Sequence, residues 1–275
     1  LFEGPPGAGK TMLASSLIDL LPGLEKNEYL EVARIFSSSG LTKPGSLPTN
    51  ARPFRSPHHS SSSVAILGGG RGYAGNIKPG EITLAHLGGL FLDELPEFNR
   101  DVIEALREPI QNKRITISRA SGTALFPADF MLVGAMNPCP CGFFDGGGQA
   151  DNVAYQKCKC TANEIKKYRK KLSGPILDRI DMHVFVPRLK SDEFKNFIGN
   201  REATGITQTE IQREIINNAR KQLQHHKIKH MQIETDAKDL LVEAGKTMEL
   251  SGRAIKSVFA VSQTIAAMDK KEKIG

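Results

Sequence analysis

The sequence predicts an α/β fold built on a buried parallel sheet, and three observations carry that prediction. Gly4-Pro5-Pro6-Gly7-Ala8-Gly9-Lys10-Thr11 fits the phosphate-loop pattern G-x-x-x-x-G-K-[ST] and runs into apolar positions at helical spacing, Met12, Leu13, Leu17, Ile18 and Leu21. About eighty residues later, Gly88-Gly89-Leu90-Phe91-Leu92 is a short apolar run ending in Asp93-Glu94. Phe130-Met131-Leu132-Val133-Gly134-Ala135-Met136 is another, ending at Asn137. Such runs read as strands buried on both faces, and in open α/β sheets ligands bind beyond the carboxyl ends of the strands.

Each motif has a chemical reason. The backbone of Gly4, Pro5, Pro6, Gly7, Ala8 and Gly9 would wrap the β-phosphate at the positive end of the following helix. Lys10 would reach the β/γ-phosphates, and the Thr11 hydroxyl would ligate Mg²⁺. Asp93 would hold the same Mg²⁺ through its water shell, while Glu94 would orient and deprotonate the attacking water. Asn137 could donate to the γ-phosphate or the lytic water; taken alone, it reads as a turn residue before Pro138. Only Leu1-Phe2-Glu3 precede the loop, where a strand of four to eight residues belongs, so the sequence is expected to be cut inside or just before its first strand.

The 275 residues accommodate one large α/β domain and a smaller one. No apolar run approaches a membrane span, so a soluble cytoplasmic ATPase with no membrane partner is expected. A net charge of +7, from 37 basic and 30 acidic residues, permits nucleic-acid binding without requiring it. Trp is absent, so no stacking surface for single-stranded bases is advertised. The only cysteines form two tight pairs, Cys139-Pro-Cys141 and Cys158-Lys-Cys160, with sixteen residues between them. Four thiolates on one loop suit a closed, structural tetrahedral Zn²⁺ site, although C-x-C is tighter than the commoner C-x-x-C. Two disulfides and four idle thiols are the alternatives, the first disfavoured in a reducing cytosol.

The remaining elements follow in order. Between Pro48 and Gly80, Ser and Gly clusters flank Val64-Ala65-Ile66-Leu67, which reads as a four-residue strand in a projecting insertion. Arg52, Arg55, His58 and His59 precede it; adjacent His side chains diverge, so a solvent-exposed pair is expected rather than a metal site. Asn99 can cap a helix carrying Val102, Ile103, Leu106 and Ile110, kinked or ended around Pro109. Lys113–Ser118, a turn through Ser121-Gly122, and Thr123–Phe126 read as a β-hairpin. Lys113, Arg114 and Arg119 lie along it or at its tip, either as an ordinary solvated surface or as DNA contacts. The run Lys166–Lys171 reads as a solvated basic helix face, and Met182–Val186 as the last strand. Beyond Pro187-Arg188 the character is helical, with Thr207-x-x-Glu210 as a capping box and Ile211, Ile215, Ala219 and Leu223 as a stripe. Ser251 can cap a final helix, and Arg253 sits in its first turn, a poor place for a cation unless a phosphate lies there.

Gly4–Thr11, Leu90–Glu94, Asn137 and Leu250-Ser251-Gly252-Arg253-Ala254 resemble Walker A, Walker B, sensor 1 and sensor 2 of AAA+ ATPases. Three more specific stretches are Arg52-Pro-Phe-Arg-Ser-Pro-His-His59, Asn137-Pro-Cys-Pro-Cys-Gly142 and Ser173-Gly-Pro-Ile-Leu-Asp-Arg-Ile-Asp181. They resemble the magnesium-chelatase-like ComM/YifB proteins of bacteria, over essentially the whole chain. That resemblance implies an AAA+ P-loop NTPase with a five-stranded parallel αβα core over residues 1–187 and a helical lid over 206–275. A linker over 188–205 would join them, with ATP bound between. It also implies a helix-2 insertion at about 48–80, a pre-sensor hairpin at 113–126 and a cysteine loop at 139–160, the first two facing the pore of a homo-oligomeric, hexameric ring. Lys113, Arg114 and Arg119 would then be pore residues touching DNA. Arg179 would be the arginine finger reaching a neighbour's γ-phosphate, with Arg169 in reserve; in GTPases such a finger is worth roughly 10³–10⁵ in rate. The implied activity is an ATP-driven branch-migration helicase of natural transformation. A metal-chelatase motor subunit and a protein-remodelling ATPase are the alternatives. ComM/YifB proteins also carry a Lon-like amino-terminal part and continue past the last lid helix, and both parts are expected to be missing here. Leu87 departs from the small polar residue expected there.

Overall fold

The computed structural model describes residues 1–41, 50–71, 77–119, 122–144, 157–188, 205–226 and 231–275. They fall into two compact units, residues 1–19 with 23–189 and residues 20–22 with 190–275.

The first unit is organised by five strands: β1 (Phe2–Glu3), β2 (Phe54–Arg55), β5 (Gly89–Leu92), β8 (Met131–Met136) and β9 (Val184–Phe185). They lie in the order β2-β5-β8-β1-β9, every neighbouring pair parallel. The apolar runs become strands because both faces are covered. Phe91 packs with Ala14, Val133 and Ala135 on one side, whereas Leu90 and Leu92 join Leu95, Val102, Ile103, Leu106 and Ile176 on the other. Leu90, Phe91 and Leu92 are fully buried, each contributing about 1.5–3 kcal/mol of transfer free energy. The register aligns Phe2 with Ala135 and Leu90 with Leu132, so the phosphate loop, Asp93-Glu94 and Asn137 all leave the sheet at one edge.

The helices of this unit are α1 (Lys10–Asp19), α2 (Lys26–Ser38), α3 (Ser63–Leu67), α4 (Glu81–Leu84), α5 (Arg100–Ala105), α6 (Arg107–Asn112), α7 (Ala162–Arg169) and α8 (Gly174–Leu177). Two local expectations are corrected. Val64–Leu67 is helical, because Ser62 caps it (its hydroxyl accepts from Ala65 N at 3.2 Å) and Ile66 enters the core. The strand role passes to β3 (Gly68–Arg71), antiparallel to β4 (Ile77–Pro79). Phe54–Arg55 is an edge strand of the main sheet, so the part that leaves the sheet begins after Arg55 and not at residue 48. Asn99 stands at the N-cap of α5 but makes no side-chain cap bond, and the helix breaks at Leu106. Pro109 falls in the first turn of α6, where its missing N–H costs nothing.

Strands β6 (Arg114–Arg119) and β7 (Gly122–Pro127) pair from Arg114↔Pro127 to Arg119↔Gly122. Ile115 and Ile117 turn into the core, which fastens one face of this hairpin to the domain.

The second unit holds α9 (Gly205–His226), α10 (Thr235–Thr247) and α11 (Gly252–Met268), with a parallel pair β10 (Gln232–Ile233) and β11 (Lys273–Ile274). Its core gathers Met231, Ala266 and Ile274 with Ile233 and Phe259. Helix α9 begins at Gly205, so Thr207 lies inside it and is not its cap. Ser251 does cap α11, its hydroxyl accepting from Ala254 N at 3.1 Å. Residues 189–204, most of the expected linker, lie outside the described residues. No helix among the described residues is long and apolar enough to cross a membrane.

Candidate nucleotide site and cysteine cluster

The phosphate loop joins β1 to α1, with Gly7 at φ 77° and Gly9 at φ 82°, a backbone region that side chains with a Cβ rarely adopt. Lys10 is nearly buried, and its ammonium donates to the carbonyls of Gly4 (2.7 Å) and Pro5 (2.9 Å) and to Asn137 Oδ1 (3.1 Å). Burial pulls the Lys10 pKa below its ordinary value, opposed by the charges of Asp93 and Glu94. Thr11 Oγ1 donates to Asp93 Oδ2 at 2.9 Å, so two oxygens suited to a hard cation already face each other. The other Asp93 oxygen accepts from Glu94 N at 2.9 Å.

Glu94 occupies the left-handed region at φ 51° and ψ 45°, and its carboxylate projects toward solvent. Its Oε2 lies 2.9 Å from Nδ1 of His59. The His59 ring also lies 4.2 Å from that of His58 and meets Phe98 edge-on at 6.4 Å. The expected solvent-exposed histidine pair is therefore corrected: His59 belongs to this site. The sheet register explains it. Arg55 pairs with Leu90, so His59 (55 + 4) and Glu94 (90 + 4) stand the same distance past the same sheet edge. A two-residue strand has no readable periodicity, which is why the signal was hidden. Its neighbouring arginines are structural: Arg55 forks onto the Glu81 carboxylate, and Arg52 bridges Glu28 (3.0 Å) and the Leu87 carbonyl (2.7 Å). Leu87 itself adopts φ 58°.

Asn137 is held from behind by Tyr168. Burial pushes the Tyr168 phenol up to about 12, partly offset by the Asn137 backbone N–H on its oxygen. Arg169 donates to Glu3 Oε1 (2.7 Å) and the Pro138 carbonyl (3.4 Å), which ties it to this chain's own β1 and Asn137 turn. Arg179 follows α8 and donates to the Pro175 carbonyl (2.6 Å) and Gln111 Oε1 (3.2 Å). Arg253 lies in the second unit, in the first turn of α11 behind the Ser251 cap. The three basic hairpin candidates do not share one place. Lys113 sits at the base with φ 58° and pairs with Asp129 at 2.8 Å. Arg114 pairs with Pro127 beside it, whereas Arg119 stands at the turn, five residues or roughly 17 Å along the strand.

The four cysteines converge. Their sulfurs lie within 4.8 Å of one another, with Cys139–Cys141, Cys139–Cys158 and Cys141–Cys158 separations of 3.3, 3.8 and 3.6 Å. A Zn–S bond of about 2.3 Å gives a tetrahedral edge of roughly 3.8 Å, so the donor set fits that metal, and all four thiols are free of disulfides. Burial raises the Cys141 thiol, but the N–H groups of Lys159 and Phe143, with hydrogen bonds from Cys139 and Cys160, outweigh it and bring it to about 6. At Cys160 the Cys141 backbone bond lowers the pKa, yet burial and the neighbouring sulfurs push it up to about 12. A cation bound among sulfurs this close would offset the mutual repulsion of four thiolates.

This cluster touches the phosphate loop. Gly142, at φ 83°, donates to the Cys139 carbonyl at 3.0 Å, and a Cβ there would fall 2.5 Å from Pro6 Cδ. The Arg188 guanidinium covers the Phe143 ring at 5.0 Å and reaches the Pro6 carbonyl at 3.4 Å. More than 130 residues separate Pro6 from Cys139, and no local pattern announces their contact.

Numbered along the chain, the five parallel strands lie in the order 5-1-4-3-2, with the phosphate loop after the first, the acidic pair after the third and asparagine after the fourth. This fold and site define a P-loop nucleotide-binding module of the AAA+ class. The chain belongs to the magnesium chelatase ChlI family: the model for "Magnesium chelatase, subunit ChlI" matches residues 1–194, and that for its C-terminal part matches residues 202–275. It is 39% identical over 285 residues to the competence protein ComM of Haemophilus influenzae, covering all of this chain and 52% of that protein. It is 38% identical over 287 residues to the uncharacterized protein YifB of Salmonella typhimurium, covering all of this chain and 53% of that protein. A more distant similarity, 25% over 267 residues, links 94% of the chain to 34% of the magnesium-chelatase 67 kDa subunit of Chlorobaculum tepidum. The chain spans about half the length of the first two relatives.

Proposed function

We propose that this chain is the ATP-binding and ATP-hydrolysing module of a cytoplasmic, homo-oligomeric, hexameric ring motor that moves DNA, with branch migration of recombination intermediates as its work. One observation carries the ATPase part: Lys10, Thr11, Asp93, Glu94 and Asn137 come from three parallel strand ends to one sheet edge, joined by hydrogen bonds. In this reading the loop Gly4–Gly9 and Lys10 bind the phosphates, Thr11 and Asp93 hold Mg²⁺, and Glu94 takes a proton from water. Asn137 orients the γ-phosphate, Arg253 binds nucleotide phosphate, and Arg179 serves a neighbouring subunit. The four cysteines hold a structural Zn²⁺. The DNA part rests on the similarity to a competence protein and on the basic residue at the hairpin turn.

The test is ATP hydrolysis by the full-length protein with and without branched DNA. Stimulation by DNA that disappears in Glu94→Gln, while nucleotide binding persists, is the expected result. Turnover indifferent to DNA would overturn the DNA reading. It would favour a chelatase-type motor, which the similarity to the 67 kDa subunit supports, or a protein-remodelling ATPase.

A further inference from the structure

We propose that the cysteine cluster is an effector site: a soft divalent cation on its four thiolates and a nucleotide on the phosphate loop each raise the other's affinity. The inference rests on the nucleotide and metal readings above and adds a coupling between them.

Three contacts carry it, all within the first unit. Strand β8 ends in Asn137, whose side-chain oxygen accepts from the phosphate-loop Lys10 at 3.1 Å, and two residues on the chain delivers buried Cys139. Gly142 then packs so closely on Pro6 that no Cβ fits between them. Arg188 clamps both sides, with its guanidinium over Phe143 and one nitrogen on the Pro6 carbonyl. The turn 137–143 is therefore shared by two sites: one side presents sulfurs to a metal and the other backs the loop that would wrap phosphate.

A cation that draws Cys139 and Cys141 to Cys158 and Cys160 fixes this turn, and with it Asn137 and the support behind Pro6. A nucleotide that orders the phosphate loop fixes the same turn from the other side. Whichever binds first removes conformational freedom that the second would otherwise have to remove, which is positive coupling. Linkage requires the effect to be reciprocal, and couplings of this kind are typically 5–150-fold in affinity.

The closing experiment uses the zinc-loaded full-length protein, with zinc extraction by a colorimetric chelator measured with and without saturating ADP. ADP binding is measured separately with a fluorescent analogue. The expected result is that ADP raises the apparent zinc affinity by roughly 5-fold or more. Lys10→Ala should release zinc at the same rate with or without ADP. Gly142→Ala, which keeps all four thiolates but wedges Pro6, should hold zinc yet lose most of the response. A protein that binds both ligands but shows unchanged zinc affinity overturns the coupling alone. One that binds ADP without holding zinc overturns the coupling together with the metal reading, and one that holds zinc without binding ADP overturns it together with the nucleotide reading.

Discussion

Glu94 and His59 show what a single hydrogen bond can decide. A carboxylate that is to take a proton from water must be aimed, and the Glu94 carboxylate has little packing around it. If Glu94 has the proposed role, Nδ1 of His59 at 2.9 Å would supply the aim, and the ring itself packs against Phe98 and His58. His59→Ala is expected to lower kcat for ATP by up to about 10²-fold, the scale of a misplaced reacting group, with nucleotide affinity unchanged. His59→Asn should recover part of the loss, because its amide nitrogen occupies nearly the place of Nδ1; steady-state kinetics of the three proteins test this. Equal kcat in all three would remove His59 from the site. The residues proposed to face phosphate and metal were legible because their types and spacing are dictated by that chemistry. His59 was not, since its place follows from a strand register and its type is shared with ordinary surface histidines.

Among elements, legibility followed the length of the apolar signal. The cores of β5 and β8 were readable, as were the hairpin and the Ser251 cap of α11. The two-residue β2, β10 and β11 carry no periodicity, and the four apolar residues of α3 suited helix or strand equally until the Ser62 cap decided. The hairpin separates two roles along its length. Lys113, paired with Asp129 where the hairpin leaves the domain, holds its base; Arg119 pairs with Gly122 at the turn, the place proposed above for DNA contact. Arg119→Ala is therefore expected to weaken DNA binding and to reduce the slope of log affinity against log salt by about 0.9, one phosphate contact on duplex DNA. Lys113→Ala should leave that slope unchanged and lose at most about 1 kcal/mol of stability, as for an exposed pair. Binding titrations at several salt concentrations separate the two.

At the scale of the whole molecule, the chain is two units with separate cores. The sheet of the first was legible as a class of fold because a parallel sheet buried on both faces must be written in continuous apolar runs. The contact between the cysteine knuckle and the phosphate loop was not, because it depends on how the ends of two neighbouring strands, β1 and β8, are extended into loops. The second core, which among the described residues gathers Met231, Ala266 and Ile274, joins positions far apart in the sequence and has no motif of its own.

The left-handed backbone at Glu94 has a consequence for the molecule's stability as a whole. A residue with a Cβ held there costs of order 1 kcal/mol or more, and glutamate is not among the types that tolerate it well. Function and folding therefore want different residues at position 94. Glu94→Asn should be catalytically dead and yet melt about 2–4 °C above Glu94→Gln, which loses the same charge but keeps the backbone strain. Calorimetry of the two inactive proteins gives the comparison, and equal melting temperatures would mean that this site exacts no toll from the fold.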